Sequence, residues 1–358
     1  MLNSITLTVD MRSAFKIVIL NVIAFLALVL LVEGGVRLFY PDIAPQNLDA
    51  NLFLPFKYGE TYGYKPNARG REFGAVYVTD EHGFRVDPTS TPSQSDRIMV
   101  VLGDSVSAGI GVSADQIYPS LLANKFPSRR VVNASVTGYG IADYVAALRA
   151  ILRDIKPEGV IIAFCLNDTV ATSQAMIQKR KATGESIPDK IRYPNPVVRW
   201  LRYVNDNYLD FNPFLRTYSR TYLLIKSLAT DTSRDYFLAD YVSYQQPQTL
   251  DLLTTEFVQL NELAIAYNFP LVVFVFPYEY QLRATTRETH APQRVIQEAG
   301  EKSGLKIYDL FDDLREYLAS NGVPSHAIYL FNDPMHFNER GHRVIAELMY
   351  RGLQKSGL

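Results

Sequence analysis

The chain has a single cysteine and a single tryptophan in 358 residues, and almost no net charge. Cys165 has no partner for an internal disulfide, so no disulfide framework holds this fold, although that alone does not fix the compartment. Thirty-six basic side chains against 37 acidic ones give a formal net charge of −1. The basic footprint of a nucleic-acid partner is therefore missing at whole-chain level. No repeat of 20–50 residues is visible, which argues against a solenoid. There is no G-x-S-x-G and no G-K-[ST] loop, so neither an α/β-hydrolase elbow nor a P-loop is expected. His326, His336 and His342 with Glu339 do not form H-E-x-x-H, and no metal is expected. Gly109, Gly111 and Ala114 match the spacing of a dinucleotide fingerprint. However, Asp104 and Ser105 occupy the turn those glycines would need, so no cofactor is expected.

One long hydrophobic run is present. Residues 15–32 read FKIVILNVIAFLALVLLV, interrupted by Lys16 at the edge and Asn21 inside. Eighteen helical residues reach about 27 Å, close to the roughly 30 Å hydrocarbon core of a bilayer. The run has no polar face, unlike the surface helix of a soluble domain. Arg12 and Lys16 precede it while Glu33 and Arg37 follow, which favours a cytoplasmic N-terminus. The expectation is a single-pass, uncleaved anchor in the cytoplasmic membrane, with the rest of the chain facing the periplasm or cell exterior.

Three parts follow from this layout: a tip and anchor (1–40), an elaboration or linker rich in Pro, Gly and aromatics (41–96), and a catalytic domain (97–358). Within the last, RIMVVLGDS (97–105), RRVVNAS (129–135), GVIIAFCLND (159–168), PLVVFVFP (270–277) and LKIYDLF (305–311) read as strands. Helical patterns alternate with them: a stretch to about Lys125, IADYVAALRAILRDI (141–155), 249–268, QRVIQEAGEKSG, and HFNERGHRVIAELMYRGLQ at the end. Apolar strands separated by helices indicate a parallel sheet covered on both faces, with ligands beyond the carboxyl ends of its strands. Residues 170–248 break the alternation. Between Lys179 and Lys226 there are ten Lys or Arg against four Asp or Glu, interleaved with aromatics from Tyr193 to Tyr222. This segment reads as a mostly helical cap, either solvated or touching anionic lipid head groups or an acidic glycan. As the cap over the strand ends, it is expected to set acceptor choice.

The conspicuous polar residues fall at the strand ends. Gly103-Asp104-Ser105 closes the first strand, placing a hydroxyl where backbone N–H groups converge. Asp333-Pro334-Met335-His336 precedes the last helix; histidine is the base a serine nucleophile needs, and an acid three residues away can hold its tautomer. Gly138 after the second strand can offer a backbone N–H and Asn167 after the third a side-chain N–H. With the Ser105 backbone, these make three donors for the oxyanion of a tetrahedral intermediate.

Ser105, Gly138, Asn167 and His336, carried by VVLGDSVSAGIGV, NASVTGYG, CLND and DPMHFNERGH, resemble the four blocks of the SGNH (GDSL-like) hydrolases, over roughly 97–168 and 249–350. The resemblance implies an α/β, flavodoxin-like three-layer sandwich with a five-stranded parallel sheet in order 2-1-3-4-5. It also implies the roles: Ser105 as nucleophile, His336 as base, Asp333 as orienting acid, and Ser105, Gly138 and Asn167 as the oxyanion hole. The third block usually reads Gly-x-Asn-Asp, and here Cys165 stands in the glycine position, where its bulk could narrow the site or shift Asn167. The expected function is cleavage of an acetyl or other short acyl ester, on carbohydrate or lipid, through an acyl-enzyme. The alternatives are an acyltransferase using the same intermediate on a glycan hydroxyl, and a non-catalytic membrane-tethered binding protein on the same scaffold.

Overall fold

A computed structural model describes residues 11–59, 61–91, 93, 95–169, 196, 200, 211–284, 286–356 and 358. Five parallel strands form the central sheet: β1 (Ile98–Gly103), β2 (Arg130–Asn133), β3 (Pro157–Cys165), β4 (Leu271–Phe276) and β5 (Lys306–Asp309). Their order is β2-β1-β3-β4-β5, as expected. Val100 in β1, Ile161 and Phe164 in β3, and Val273 and Phe274 in β4 are all fully buried. A strand buried on both faces needs apolar residues at successive positions, which is why these strands read as unbroken runs and not as alternations.

The helices are α1 (Met11–Phe39), α2 (Ser105–Ala108), α3 (Tyr118–Lys125), α4 (Ile141–Ile151), α5 (Phe211–Tyr218), α6 (Arg220–Ala229), α7 (Thr232–Tyr244), α8 (Pro247–Ala266), α9 (Glu279–Arg283), α10 (Ala291–Ser303), α11 (Phe311–Asn321) and α12 (Glu339–Ser356). Helix α3 packs against α12, and α4 and α10 pack against α8. The chain moves one way from β1 to β2 and back the other way to β3. Right-handed crossovers therefore put α3 and α4 on opposite faces. That reversal leaves a crevice at the carboxyl ends of β1 and β3, where ligands bind in such sheets.

Two helices differ from the sequence reading. The stretch expected to run on to Lys125 is interrupted after α2, because Gly109 (φ 73°) and Gly111 (φ 76°) take left-handed backbone that ends a helix. The last helix begins at Glu339, not at His336: Asn338 Oδ1 accepts the Gly341 N–H (3.0 Å), while its Nδ2 donates to the carbonyls of Ala327 (3.0 Å) and Tyr329 (2.9 Å). Asn338 is thus a helix cap pinned from outside, and His336 lies on the loop before it.

Segment 41–96 carries two small antiparallel ribbons, Phe53–Leu54 with Gly63–Tyr64 and Arg69–Glu72 with Ala75–Val78. Its Tyr64, Tyr77 and Phe84 are buried in the same core as the sheet. Helix α1 contains Phe15–Phe39, long and apolar enough to cross a membrane, with an apolar window of mean hydropathy 2.8 that is 0% buried. The last turns of α1 dock on the cap: the Glu33 carboxylate accepts from Arg220 N (2.9 Å), Thr221 N (3.0 Å) and Ser219 Oγ (3.1 Å). Val36, Ile43 and Leu223 bury one another beside this contact. Within 170–248 the described residues from 211 onward are mostly helical, in α5, α6, α7 and the start of α8, whereas Tyr193, Tyr203 and Tyr208 lie outside the described residues.

Candidate active site

Ser105 is the first residue of α2, directly past the end of β1, and is 8% exposed. Asp104 caps the turn, its Oδ1 accepting the Val106 N–H at 2.9 Å. At Gly103 a Cβ would stand 2.4 Å from Ser107 Oγ and 2.9 Å from the Ala163 carbonyl. Only glycine lets β1, β3 and the nucleophile turn approach this closely.

The sheet brings Ser105 to His336 across 231 residues, with Ser105 Oγ 2.8 Å from His336 Nε2. On the far side of the ring, Nδ1 is 2.9 Å from both Oδ1 and Oδ2 of Asp333. Asp333 Oδ1 also accepts the backbone N–H groups of Met335 (2.9 Å) and His336 (2.7 Å). Asp333 and His336 are therefore fixed by one local turn. Burial by itself raises the Asp333 pKa, but the charge on His336 and these donated hydrogen bonds outweigh it, and the carboxyl lies below its ordinary 3.8. Burial likewise lowers the His336 pKa, and the adjoining Asp333 carboxylate overrides it, so the imidazole lies above its ordinary 6.5.

Asn167 lies on the single 3₁₀ turn Leu166–Thr169 that follows β3. Its Nδ2 is 3.4 Å from Asp104 Oδ2, so the amide sits beside the nucleophile turn. Gly138 occupies the third position of a turn closed by Tyr139 N to Val136 O (3.2 Å), with φ 86°. Left-handed backbone at that place favours glycine. Cys165 ends β3 fully buried, and its backbone N–H donates to Asp168 Oδ2 at 2.7 Å. Burial holds the thiol well above its usual pKa, so it is no nucleophile. The same Asp168 oxygen accepts Tyr144 Oη at 2.6 Å, which ties the Asn167 turn to α4.

The sequence reading missed what 41–96 contributes. Arg85 is 3% exposed, and its guanidinium donates to the carbonyls of Ala108, Gly109 (2.7 Å) and Val112 (2.6 Å) while lying over the Tyr77 ring. It holds the broken segment that follows Ser105. Buried Glu72 accepts from Tyr64 Oη and Thr137 Oγ1, both at 2.9 Å, and Tyr62 Oη donates to the Thr137 carbonyl at 2.9 Å. Together they brace the residue before Gly138. Phe73 sets its ring edge-on to His336, centroids 5.9 Å apart. A cavity of about 90 Å³ lies beside His336 and Asp333, walled by Phe73, Ile43, Leu223 and Tyr236. Among the described residues no cluster of three His, Cys, Asp or Glu is arranged to hold a metal ion.

Parts of the chain are similar to known proteins. The thioesterase 1/protease 1/lysophospholipase L1 of Escherichia coli (strain K12) is 35% identical over 107 residues, covering 27% of this chain and 51% of that protein. The esterase TesA of Pseudomonas aeruginosa is 33% identical over 110 residues, covering 27% and 55%. The chain thus spans about half the length of these curated relatives. Among solved structures, LAE5, an alpha/beta hydrolase enzyme from the metagenome of Lake Arreo, Spain, covers 74% of this chain and 96% of its own at 16% identity (TM-score 0.42). Axe2, an acetylxylan esterase from Geobacillus stearothermophilus, covers 73% and 95% at 14% identity (TM-score 0.39). The model of the GDSL-like lipase/acylhydrolase family matches residues 101–344. That stretch runs from the strand before Ser105 to the helix after His336 and makes up well over half of the sequence; the chain belongs to this family of serine hydrolases.

Proposed function

We propose that this protein is a membrane-anchored esterase that cleaves short acyl esters through an acyl-enzyme on Ser105. The observation that carries this reading is the unbroken hydrogen-bonded chain Ser105 Oγ–His336 Nε2 (2.8 Å) and His336 Nδ1–Asp333 (2.9 Å). As Ser105 Oγ attacks the ester carbonyl carbon, its proton passes to His336 Nε2, and Asp333 stabilises the imidazolium. The carbonyl oxygen becomes an oxyanion, for which the N–H groups of Ser105, Gly138 and the Asn167 amide are the donors. Collapse breaks the bond to the alcohol oxygen, which leaves with the proton from His336. Water then attacks the acyl-enzyme and its proton goes to His336; collapse breaks the acyl–Oγ bond, His336 returns that proton to Ser105 Oγ, and the carboxylic acid leaves.

The small cavity beside His336 supports a short acyl group. The catalytic unit in this reading is 97–358, with 41–96 bracing the loops and 170–248 as the cap. The apolar helix α1 and its docking through Glu33 support a retained single-pass anchor. Arg12 and Lys16 on its N-terminal side support a catalytic domain facing the periplasm or cell exterior. The test is hydrolysis of p-nitrophenyl acetate against p-nitrophenyl octanoate by the full-length protein. Acetate turnover well above octanoate turnover agrees with the proposal. A protein that prefers octanoate contradicts the short-acyl assignment. Release from neither ester, unless a sugar hydroxyl is supplied as acceptor, replaces hydrolysis by acyl transfer.

A further inference from the structure

A groove of about 810 Å³ runs along the ribbon Arg69–Glu72, between the strap 46–49 and the end of α5. Arg69, Arg71 and Arg216 line it, against one carboxylate, Asp49. No carboxylate among the described residues forms an ion pair with any of these three arginines. Two of them are held by neutral acceptors: Arg71 Nη1 donates to the Gly74 carbonyl (2.8 Å) and Arg216 Nε to Gln46 Oε1 (2.8 Å). Gln46 N in turn donates to the Arg216 carbonyl at 3.0 Å, which locks strap and cap together at this point.

The groove has two ends. At one, Gln46, Phe73 and Arg216 are shared with the walls of the cavity beside His336, so groove and cavity lie side by side. At the other is Tyr218, whose carbonyl accepts Arg37 Nη2 of α1 at 2.8 Å and whose ring is exposed. Tyr218 immediately precedes Ser219, Arg220 and Thr221, which bind Glu33 at the end of the apolar run. An exposed tyrosine at the charged end of an apolar helix sits where aromatic side chains border a bilayer.

Resting on the esterase reading, we propose that this groove is the subsite for the alcohol part of the substrate, and that this part is a phosphate-bearing amphiphile held in the bilayer beside α1. Three guanidinia against one carboxylate leave a surplus of two positive charges, which matches the charge of a phosphate monoester. The planar fork of arginine suits phosphate oxygens in pairs. The groove extends from Tyr218 to Phe73, whose ring lies against His336, so in this proposal a phosphate bound there holds the neighbouring acyl ester on the side of the site that faces His336.

The test compares acetylglycerol phosphate with glycerol monoacetate, free in solution and, for the phosphate, also as its hexadecyl ether on the remaining glycerol hydroxyl, which keeps the phosphate a monoester, in phosphatidylcholine vesicles holding the full-length protein. The expected result is a kcat/KM at least tenfold higher for the phosphate-bearing ester than for the neutral one, and higher again on vesicles. In R69S/R71S/R216Q this preference collapses towards unity, and the lysine triple variant restores part of it. Binding is measured separately with Ser105→Ala, which cannot turn over: the Kd for acetylglycerol phosphate rises tenfold or more when the three arginines are removed. If the wild type hydrolyses neither ester while Ser105→Ala still binds the phosphate through these arginines, the groove stands and the esterase reading falls. Equal kcat/KM for both esters, or a Kd unmoved by the triple variant, overturns the subsite. So does competition by inorganic phosphate, or by a carboxylate such as glucuronate, as strong as that of the phosphate ester.

Discussion

Asn167 Nδ2 stands 3.4 Å from Asp104 Oδ2, the same carboxylate oxygen that lies 3.4 Å from Ser105 Oγ. Asp104 is fully buried and its other oxygen is held by the Val106 N–H, so it forms a fixed post between donor and nucleophile. A side-chain amide carries two N–H groups. One can rest on Asp104 while the other serves the oxyanion.

Asn167→Ala therefore lowers kcat by about 10²–10³ and leaves KM nearly unchanged, since the lost donor acts in the transition state. Asn167→Asp falls further, because it replaces a donor by a negative charge beside the oxyanion. Steady-state kinetics on p-nitrophenyl acetate separate the two parameters; an effect confined to KM removes Asn167 from the oxyanion hole.

The base must be neutral to accept the Ser105 proton, and Asp333 holds the His336 pKa above its ordinary 6.5. The kcat/KM profile should thus be flat on the alkaline side and fall as pH drops through that raised pKa. His342, pushed down to about 3 by burial, accepts the Tyr118 N–H as a neutral ring and does not contribute to this limb. Asp333→Asn shifts the limb to lower pH and cuts kcat by about 10³–10⁴, the usual cost of losing the orienting acid. The stability terms have opposite signs. The His336–Asp333 pair stabilises the fold fully between the ordinary Asp value of 3.8 and pH 6.5; it loses that contribution as pH rises through the raised His336 pKa, and again as pH falls through the lowered Asp333 pKa. His342 withdraws stability as pH falls below 6.5, because only the unfolded chain then takes the proton. His342→Gln should flatten the acid side of a urea-midpoint profile.

Arg85 donates to three carbonyls of the segment after Ser105. Arg85→Met leaves the Ala108 carbonyl with Tyr77 Oη (3.1 Å) and the Gly109 carbonyl with the Val112 N–H (3.2 Å), so among the described contacts it is the buried Val112 carbonyl that loses its donor, at about 1–3 kcal/mol. The urea midpoint should fall by an amount equivalent to about 1–3 kcal/mol, and kcat should fall with it as the Ser105 turn loosens. Arg85→Lys, which keeps the charge but not the fork, recovers only part of both. Unchanged stability would show that the guanidinium is not holding this turn.

The sheet was legible because strands buried on both faces leave apolar runs such as GVIIAFC and LVVFVF, and because Ser105 and Asn167 follow the runs that meet at the crevice. Asp333 and His336 were legible because acid and base sit on one turn. The breaks at Gly109 and Gly111 had a signal, two glycines two residues apart, but the reading tested that pattern only as a dinucleotide loop. Arg85, Glu72 and Phe73 had none: they come from a segment without periodicity, and their partners, such as Thr137 and Gly109, are distant in sequence. Ribbon geometry, which no local pattern encodes, brings them to the site.

The central claim is the serine nucleophile, and the direct measurement is p-nitrophenyl acetate hydrolysis by the full-length protein and its Ser105→Ala variant, both checked for equal urea midpoints. The account predicts release by the wild type and a loss of at least about 10³-fold in kcat for Ser105→Ala. Equal release by the two proteins would contradict it, because the ester would then be opened by a group other than Ser105.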